Sequence, residues 1–134
     1  MPRPSPLLLV LLLAASPQLQ AGHEGGDDVK FERGKQLFDK YCSRCHGKKA
    51  DGEGRMVKRL YRRIGTQLPS NFTLGVYSER PEDYLRKIIV DGGENNAMSK
   101  YMPPFGSELS EEDVDDLVYL IKQAPERYAR EAHQ

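Results

Sequence analysis

The sequence predicts an all-α fold closed around something other than polypeptide, and three observations predict it. Three segments carry apolar residues at helical spacing. No segment shows the sustained alternation of a strand. The stretches between the helices are long, and loops of that length are unusual in a compact domain unless they have a task of their own.

The first helix follows residues 22–28, a Gly-rich acidic segment that reads as a flexible leader. Asp27 or Asp28 can cap it, and Phe31, Gly34, Leu37, Phe38 and Tyr41 fall near one face. Gly34 costs an exposed helix about 1 kcal/mol relative to alanine, so its place on the apolar face suits a site where another backbone comes close. Residues 48–54 read as a loop. Arg55 to Ile64 forms a possible short basic helix, with Met56, Leu60 and Ile64 spaced by four and Gly65 as its stop. Pro81 suits the start of the next main helix, where Glu82 and Asp83 favour the dipole. Tyr84, Leu85, Ile88 and Ile89 form its apolar stripe, and Gly92-Gly93 ends it. The last helix is the best specified. Ser110 is its N-cap with Asp113 three residues on, and Leu109 and Val114 occupy the two positions of a hydrophobic staple. Pro125 is expected to follow its end, leaving residues 125–134 as a polar tail.

Before these elements lies a segment that is not fold. Arg3 precedes an unbroken apolar run from Leu7 to Ala15, then Pro17, with Ala21 a small residue at a cleavage point. That is the plan of a secretory signal peptide over residues 1–21. Nine apolar residues are too few to cross a bilayer, which needs about 20. The domain proper is expected over residues 29–124, exported to the periplasm without stable membrane insertion.

Charge is balanced in number, 20 basic against 20 acidic, but not in place. Residues 44–63 hold eight basic residues against Asp51 and Glu53, and residues 108–116 hold six acidic residues and no basic one. A dipolar molecule of this kind orients its partners as they approach. The basic stretch has two expected uses, docking an acidic partner or facing carboxylates of a bound group, and a plain solvated surface is an equal alternative to both.

The chemistry lies in Cys42-Ser43-Arg44-Cys45-His46. Two cysteines at this spacing reach the two vinyl groups along one edge of a haem and form thioethers, and the adjacent imidazole then meets the iron. This is the attachment signature of a c-type haem. A thioredoxin-like pair needs a βαβ pattern that is missing. A structural zinc needs four ligands, and three are at hand. A plain disulfide leaves His46 unexplained. Export supports haem, because c-type haem is generally attached outside the cytoplasm in bacteria.

A second axial ligand is needed for a six-coordinate iron, and methionine opposite histidine suits electron transfer. Met102 stands in Met102-Pro103-Pro104-Phe105-Gly106, where two prolines stiffen the backbone; Met98 is the runner-up. Lys100 is a group able to replace the methionine only at high pH.

These residues together resemble a class I cytochrome c of the short bacterial periplasmic kind with a single haem. The resemblance spans residues 29–122. It rests on Gly34 and Phe38 before Cys42, on the attachment motif with Gly47, and on Asp51-Gly52-Glu53-Gly54. It continues through Pro69-Ser70-Asn71-Phe72-Thr73, Pro81-Glu82-Asp83 with Tyr84-Leu85, Met102 to Gly106, and Leu109 to Val114. It implies the cytochrome c fold: three main helices plus a possible short one, and long loops wrapped around one covalently bound haem. It also implies that the first and last helices cross at Gly34 and Phe38, and that His46 and the methionine ligate from opposite faces. Many members have a proline after the attachment site whose neighbourhood supplies a carbonyl to the ligand histidine. Here no proline precedes Pro69, so an acceptor is expected without being named.

The expected function is that of a soluble exported one-electron carrier without catalytic residues. Its partners would be a periplasmic dehydrogenase or membrane complex as donor and an oxidase or reductase as acceptor, with no nucleic acid. An electron-transfer subunit of a dehydrogenase or oxidase complex is the alternative. A haem enzyme or gas sensor with a labile sixth ligand is the third reading. Tyr77, Tyr84, Tyr101 and Tyr119 are expected in the pocket or core.

Overall fold

The computed structural model describes Met1, residues 24–65 and residues 68–133. The expected signal peptide, and residues 22 and 23 of the expected leader, lie outside these. No helix among the described residues is long and apolar enough to cross a membrane.

Five α-helices and two 3-10 turns make up the fold, and no strand occurs among the described residues: α1 (Glu24–Tyr41), α2 (Ser43–His46), α3 (Val57–Ile64), α4 (Glu82–Asp91) and α5 (Glu111–Glu131). The all-α expectation is met, with α1, α4 and α5 as the main helices and α3 as the short basic one.

α1 and α5 form the backbone of the core, with α4 packed on α5. Their crossing explains Gly34. A Cβ built there would press into the Asp116 carbonyl oxygen and lie 3.0 Å from the Leu120 Cβ. The helix tolerates a poor helix former because only hydrogen lets the two backbones approach so closely. Phe38, Val114, Leu117 and Leu120 are the largest fully buried side chains around this crossing. Asp116 is buried too, and the half-exposed Arg33 lies 2.7 Å from its carboxylate. Burial of that charge is tolerated because the guanidinium reaches it from the rim.

Both ends of this pair run further than expected. Residues 24–28 are not a flexible leader but the first turns of α1. Asp28 pairs with Arg127 of α5, which gives the turn a tertiary anchor. Pro125 does not end α5: the helix continues to Glu131, so most of the expected polar tail is helical. Proline inside a helix costs about 3 kcal/mol. The extension compensates by burying Ala124 and Tyr128. Tyr128 packs on Phe31 at 6.1 Å between ring centroids, and Arg127 lies over the same phenylalanine ring at 5.0 Å. Full burial of one large side chain contributes about 1.5–3 kcal/mol, so tertiary packing matches the local cost.

The start of α5 is as expected. Ser110 accepts from the Asp113 amide at 3.2 Å, and the Asp113 carboxylate accepts from the Ser110 amide at 3.0 Å, a complete capping box. The Ser110 hydroxyl also donates to the Asp113 carboxylate at 2.8 Å, and this bond, with the one from the Ser110 amide, holds the Asp113 carboxyl below its ordinary pKa. Ser110→Ala is expected to destabilise the protein by about 1 kcal/mol, read as a lower urea midpoint with an unchanged slope.

Candidate functional site

α1 ends at Tyr41 and the chain turns at once into α2, a single helical turn that contains the attachment motif. The Cys42 carbonyl accepts from the amides of Cys45 (3.0 Å) and His46 (2.9 Å), so both thiols and the imidazole are carried by one hydrogen-bonded turn. The following loop folds back and seals it. Gly52 donates to the His46 carbonyl at 2.7 Å, Gly54 to that of Cys45 at 3.2 Å, and Met56 to that of Arg44 at 3.1 Å. Gly54 is glycine for a steric reason: a Cβ there would lie 2.5 Å from the carbonyl oxygens of Arg44 and Cys45.

His46 is held on three sides. Its ring stacks on Phe72 at 4.9 Å with a 24° interplanar angle, and Phe38 lies 6.3 Å away, tilted. Its Nδ1 lies 3.1 Å from the Ser70 carbonyl oxygen. A carbonyl only accepts, so Nδ1 carries the proton and Nε2 keeps its lone pair. Burial pushes the imidazole pKa below its ordinary value, against the pull of the Ser70 bond, which keeps the ring neutral as a metal ligand requires. Ser70 is itself anchored, since the Tyr77 hydroxyl donates to its Oγ at 2.6 Å. The acceptor left unnamed by the sequence is therefore the Ser70 carbonyl, just after Pro69 and 24 residues beyond His46.

The methionine loop is seated on the end of α4. Gly93 donates to the Met102 carbonyl at 2.9 Å, Phe105 to that of Ile89 at 3.0 Å, and Gly106 to that of Val90 at 3.1 Å. Gly92 takes φ +77°, ψ 173°, and a Cβ on it would lie 2.6 Å from the Pro104 nitrogen. A Cβ on Gly93 would run into the Ser99 carbonyl oxygen. Gly92-Gly93 thus does more than end a helix: it makes room for the loop that carries Met102.

One cleft, open to solvent, brings these parts together. Cys42, Cys45 and His46 line it from the α1–α2 corner, and Met98 and Met102 line it from the loop after α4. Every site residue expected from the sequence therefore borders the same space. Leu60, Leu68, Pro69 and Phe105 make much of the remaining wall apolar, with Tyr41 and Tyr101 beside them. Tyr77 and Tyr119 pack partly buried against the core. Tyr84 corrects the expectation: it is exposed on α4, with the Arg80 guanidinium over its ring at 5.4 Å. Its position on the stripe is at the helix start, before α4 meets α5.

The residues fit a covalently held haem. Both cysteines are free. Burial pushes the Cys42 thiol up to about 12 and raises that of Cys45; as free thiols, each has the S–H that thioether formation would add across a vinyl double bond. A mostly apolar cleft with few polar groups is the usual lining of a cofactor site. Asn71 is accounted for locally: its Oδ1 accepts from the Thr73 amide at 2.9 Å and caps the 3-10 turn Phe72–Leu74 that carries Phe72.

Comparison with known proteins agrees with this geometry. The family model described as cytochrome c oxidase, cbb3-type, subunit III matches residues 29–121. Cytochrome c-554(547) of Halothiobacillus neapolitanus is 33% identical over 88 residues, which cover 66% of this chain and 89% of that protein. The matched span runs from within α1, through the attachment turn and the Met102 loop, into α5, and it excludes the segment expected to be a signal peptide. With its helices, its cleft and its matched residues in agreement, the chain belongs to the small bacterial c-type cytochromes, haem proteins of electron transfer.

Proposed function

We propose that the chain is an exported, soluble carrier of single electrons. It holds one haem c through thioethers from Cys42 and Cys45, with His46 and Met102 as axial ligands. When bound, the haem supplies an iron that alternates between ferrous and ferric. The observation that carries the reading is the shared cleft: an oriented imidazole and two free thiols border the same space as a methionine held by a stiff loop. The chain's own part is to keep those groups still. The Ser70 carbonyl fixes the tautomer of His46, the Phe72 ring fixes its plane, and Pro103-Pro104 restrains the loop after Met102. A fixed ligand set suits electron transfer, because little must move when the charge on the iron changes. Leu60 and Leu68 add apolar wall to the cleft. The leader-like residues 1–21 support export to the periplasm, where a dehydrogenase or membrane complex would donate electrons and an oxidase or reductase accept them.

The test is spectroscopic. In the purified exported protein, haem is expected to stay with the chain after acid–acetone extraction, and the ferric form to show the weak far-red band of methionine–iron ligation. Met102→Ala is expected to abolish that band, whereas Met98→Ala retains it. Unchanged ligation in Met102→Ala would remove Met102 from the assignment.

A second reading, a fixed electron-transfer subunit, is favoured by the matched family model's description as an oxidase subunit. Stable co-purification with a catalytic subunit would favour it over a free shuttle.

A further inference from the structure

Eleven lysines and arginines lie among the described residues outside residues 44–63, and all have partners: six face carboxylates, four lie over tyrosine rings, and Lys122 donates to the Arg80 carbonyl. Inside residues 44–63 the pattern reverses. All eight basic residues are exposed. None of them has an acidic, aromatic or carbonyl partner among the described residues.

Half of the eight sit on α3, as Lys58, Arg59, Arg62 and Arg63. Lys58 with Arg62 and Arg59 with Arg63 are like charges four apart, an arrangement that destabilises a helix. No acidic side chain among the described residues offsets it. The helix is placed meaningfully, however. Its buried Leu60 lines the haem cleft, so a body resting on the outer face of α3 would be separated from the cofactor by about one helix diameter, roughly 10 Å.

We propose that the basic face of α3 is the docking surface for an acidic redox protein, an inference that rests on the electron-carrier reading. Three features favour a protein over an anionic membrane. A membrane-surface helix turns its apolar face outward into lipid, whereas here Leu60 points inward. Three of the four cations on α3 are arginines, whose planar forks match carboxylates in pairs. Tyr61, 56% exposed beside them, joins arginine in the composition typical of protein interface anchors. Two propionates of a bound haem would occupy at most a few of the eight cations.

The test uses the haem-loaded full chain. Electron transfer to a purified acidic blue-copper protein is followed by stopped flow across a range of salt, beside transfer to a small neutral reagent. The quadruple variant Lys58→Gln, Arg59→Gln, Arg62→Gln and Arg63→Gln is compared with an equal neutralisation elsewhere, Lys30→Gln, Lys35→Gln, Lys87→Gln and Arg130→Gln. The α3 variant is expected to slow transfer to the copper protein about tenfold at low salt and to lose most of the salt dependence. Its haem spectrum and its rate with the neutral reagent stay unchanged, and the control variant keeps most of the wild-type rate. Equal slowing in both variants would assign the effect to net charge and overturn the inference. So would an unaffected protein rate with lost binding to phosphatidylglycerol vesicles, which would make the face a lipid contact. A wild type that transfers electrons to neither acceptor would instead overturn the electron-carrier reading.

Discussion

Gly34→Val is expected to destabilise the protein by about 3 kcal/mol, visible as a fall of more than about 10 °C in the unfolding midpoint. The first carbon beyond the backbone already overlaps the Asp116 carbonyl oxygen, and valine adds two methyls facing Leu120. Neither neighbour can yield cheaply. Asp116 and Leu120 are buried on the helix that organises the core. Valine is intrinsically a better helix residue than glycine by a few tenths of a kcal/mol, so local propensity predicts the opposite sign. Thermal unfolding of Gly34→Val followed by far-UV circular dichroism decides between them. An unchanged or raised midpoint would show that α1 and α5 can separate without loss.

Gly92→Ala is expected to act on the site more than on the fold. At φ +77°, ψ 173° the position belongs to a region reserved for glycine, and occupying it with alanine costs about 1–3 kcal/mol. The added carbon would also lie 2.6 Å from the Pro104 nitrogen and 3.0 Å from the Met102 carbonyl oxygen. The loop must shift to relieve this, and Met102 shifts with it. The expected result is a weakened far-red band and tighter binding of added imidazole to the ferric protein, with covalent haem retained. Gly75→Ala is the control. It also has a positive φ, +78°, but its added carbon meets nothing within 4 Å. That variant should lose some stability and leave imidazole binding unchanged. Similar imidazole affinities in the two variants would separate Gly92 from the ligand loop.

What was legible in the chain itself was whatever is encoded by neighbours in sequence. The attachment turn is five consecutive residues. The capping box of α5 spans four, and the stripe of Leu85, Ile88 and Ile89 recurs within one helix. Such features are set by spacing and side-chain chemistry, and both can be read without knowing where the chain goes next. Met102 was legible as a candidate bordering the cleft for the same reason, through the two prolines that follow it.

The misses share a different character. Pro125 reads as a stop because its local cost is visible and the burial of Tyr128 on Phe31 is not. Residues 24–28 read as a leader because Gly-Gly-Asp-Asp lacks helix propensity, while the Arg127 partner of Asp28 lies 99 residues away. The Ser70 carbonyl that orients His46 is a backbone atom 24 residues on, and a backbone acceptor leaves no mark in side-chain identity. Gly92 looks like an ordinary helix end, since the Pro104 backbone it makes room for is brought there only by the fold.

The attachment motif, the helix type and the candidate ligands were therefore carried by short-range pattern. The tertiary structure alone decided how far α1 and α5 extend, what holds the imidazole, and which cations stay without partners. Each of those depends on the balance between a local cost and a contact made across the chain, and only the folded geometry contains both sides of it.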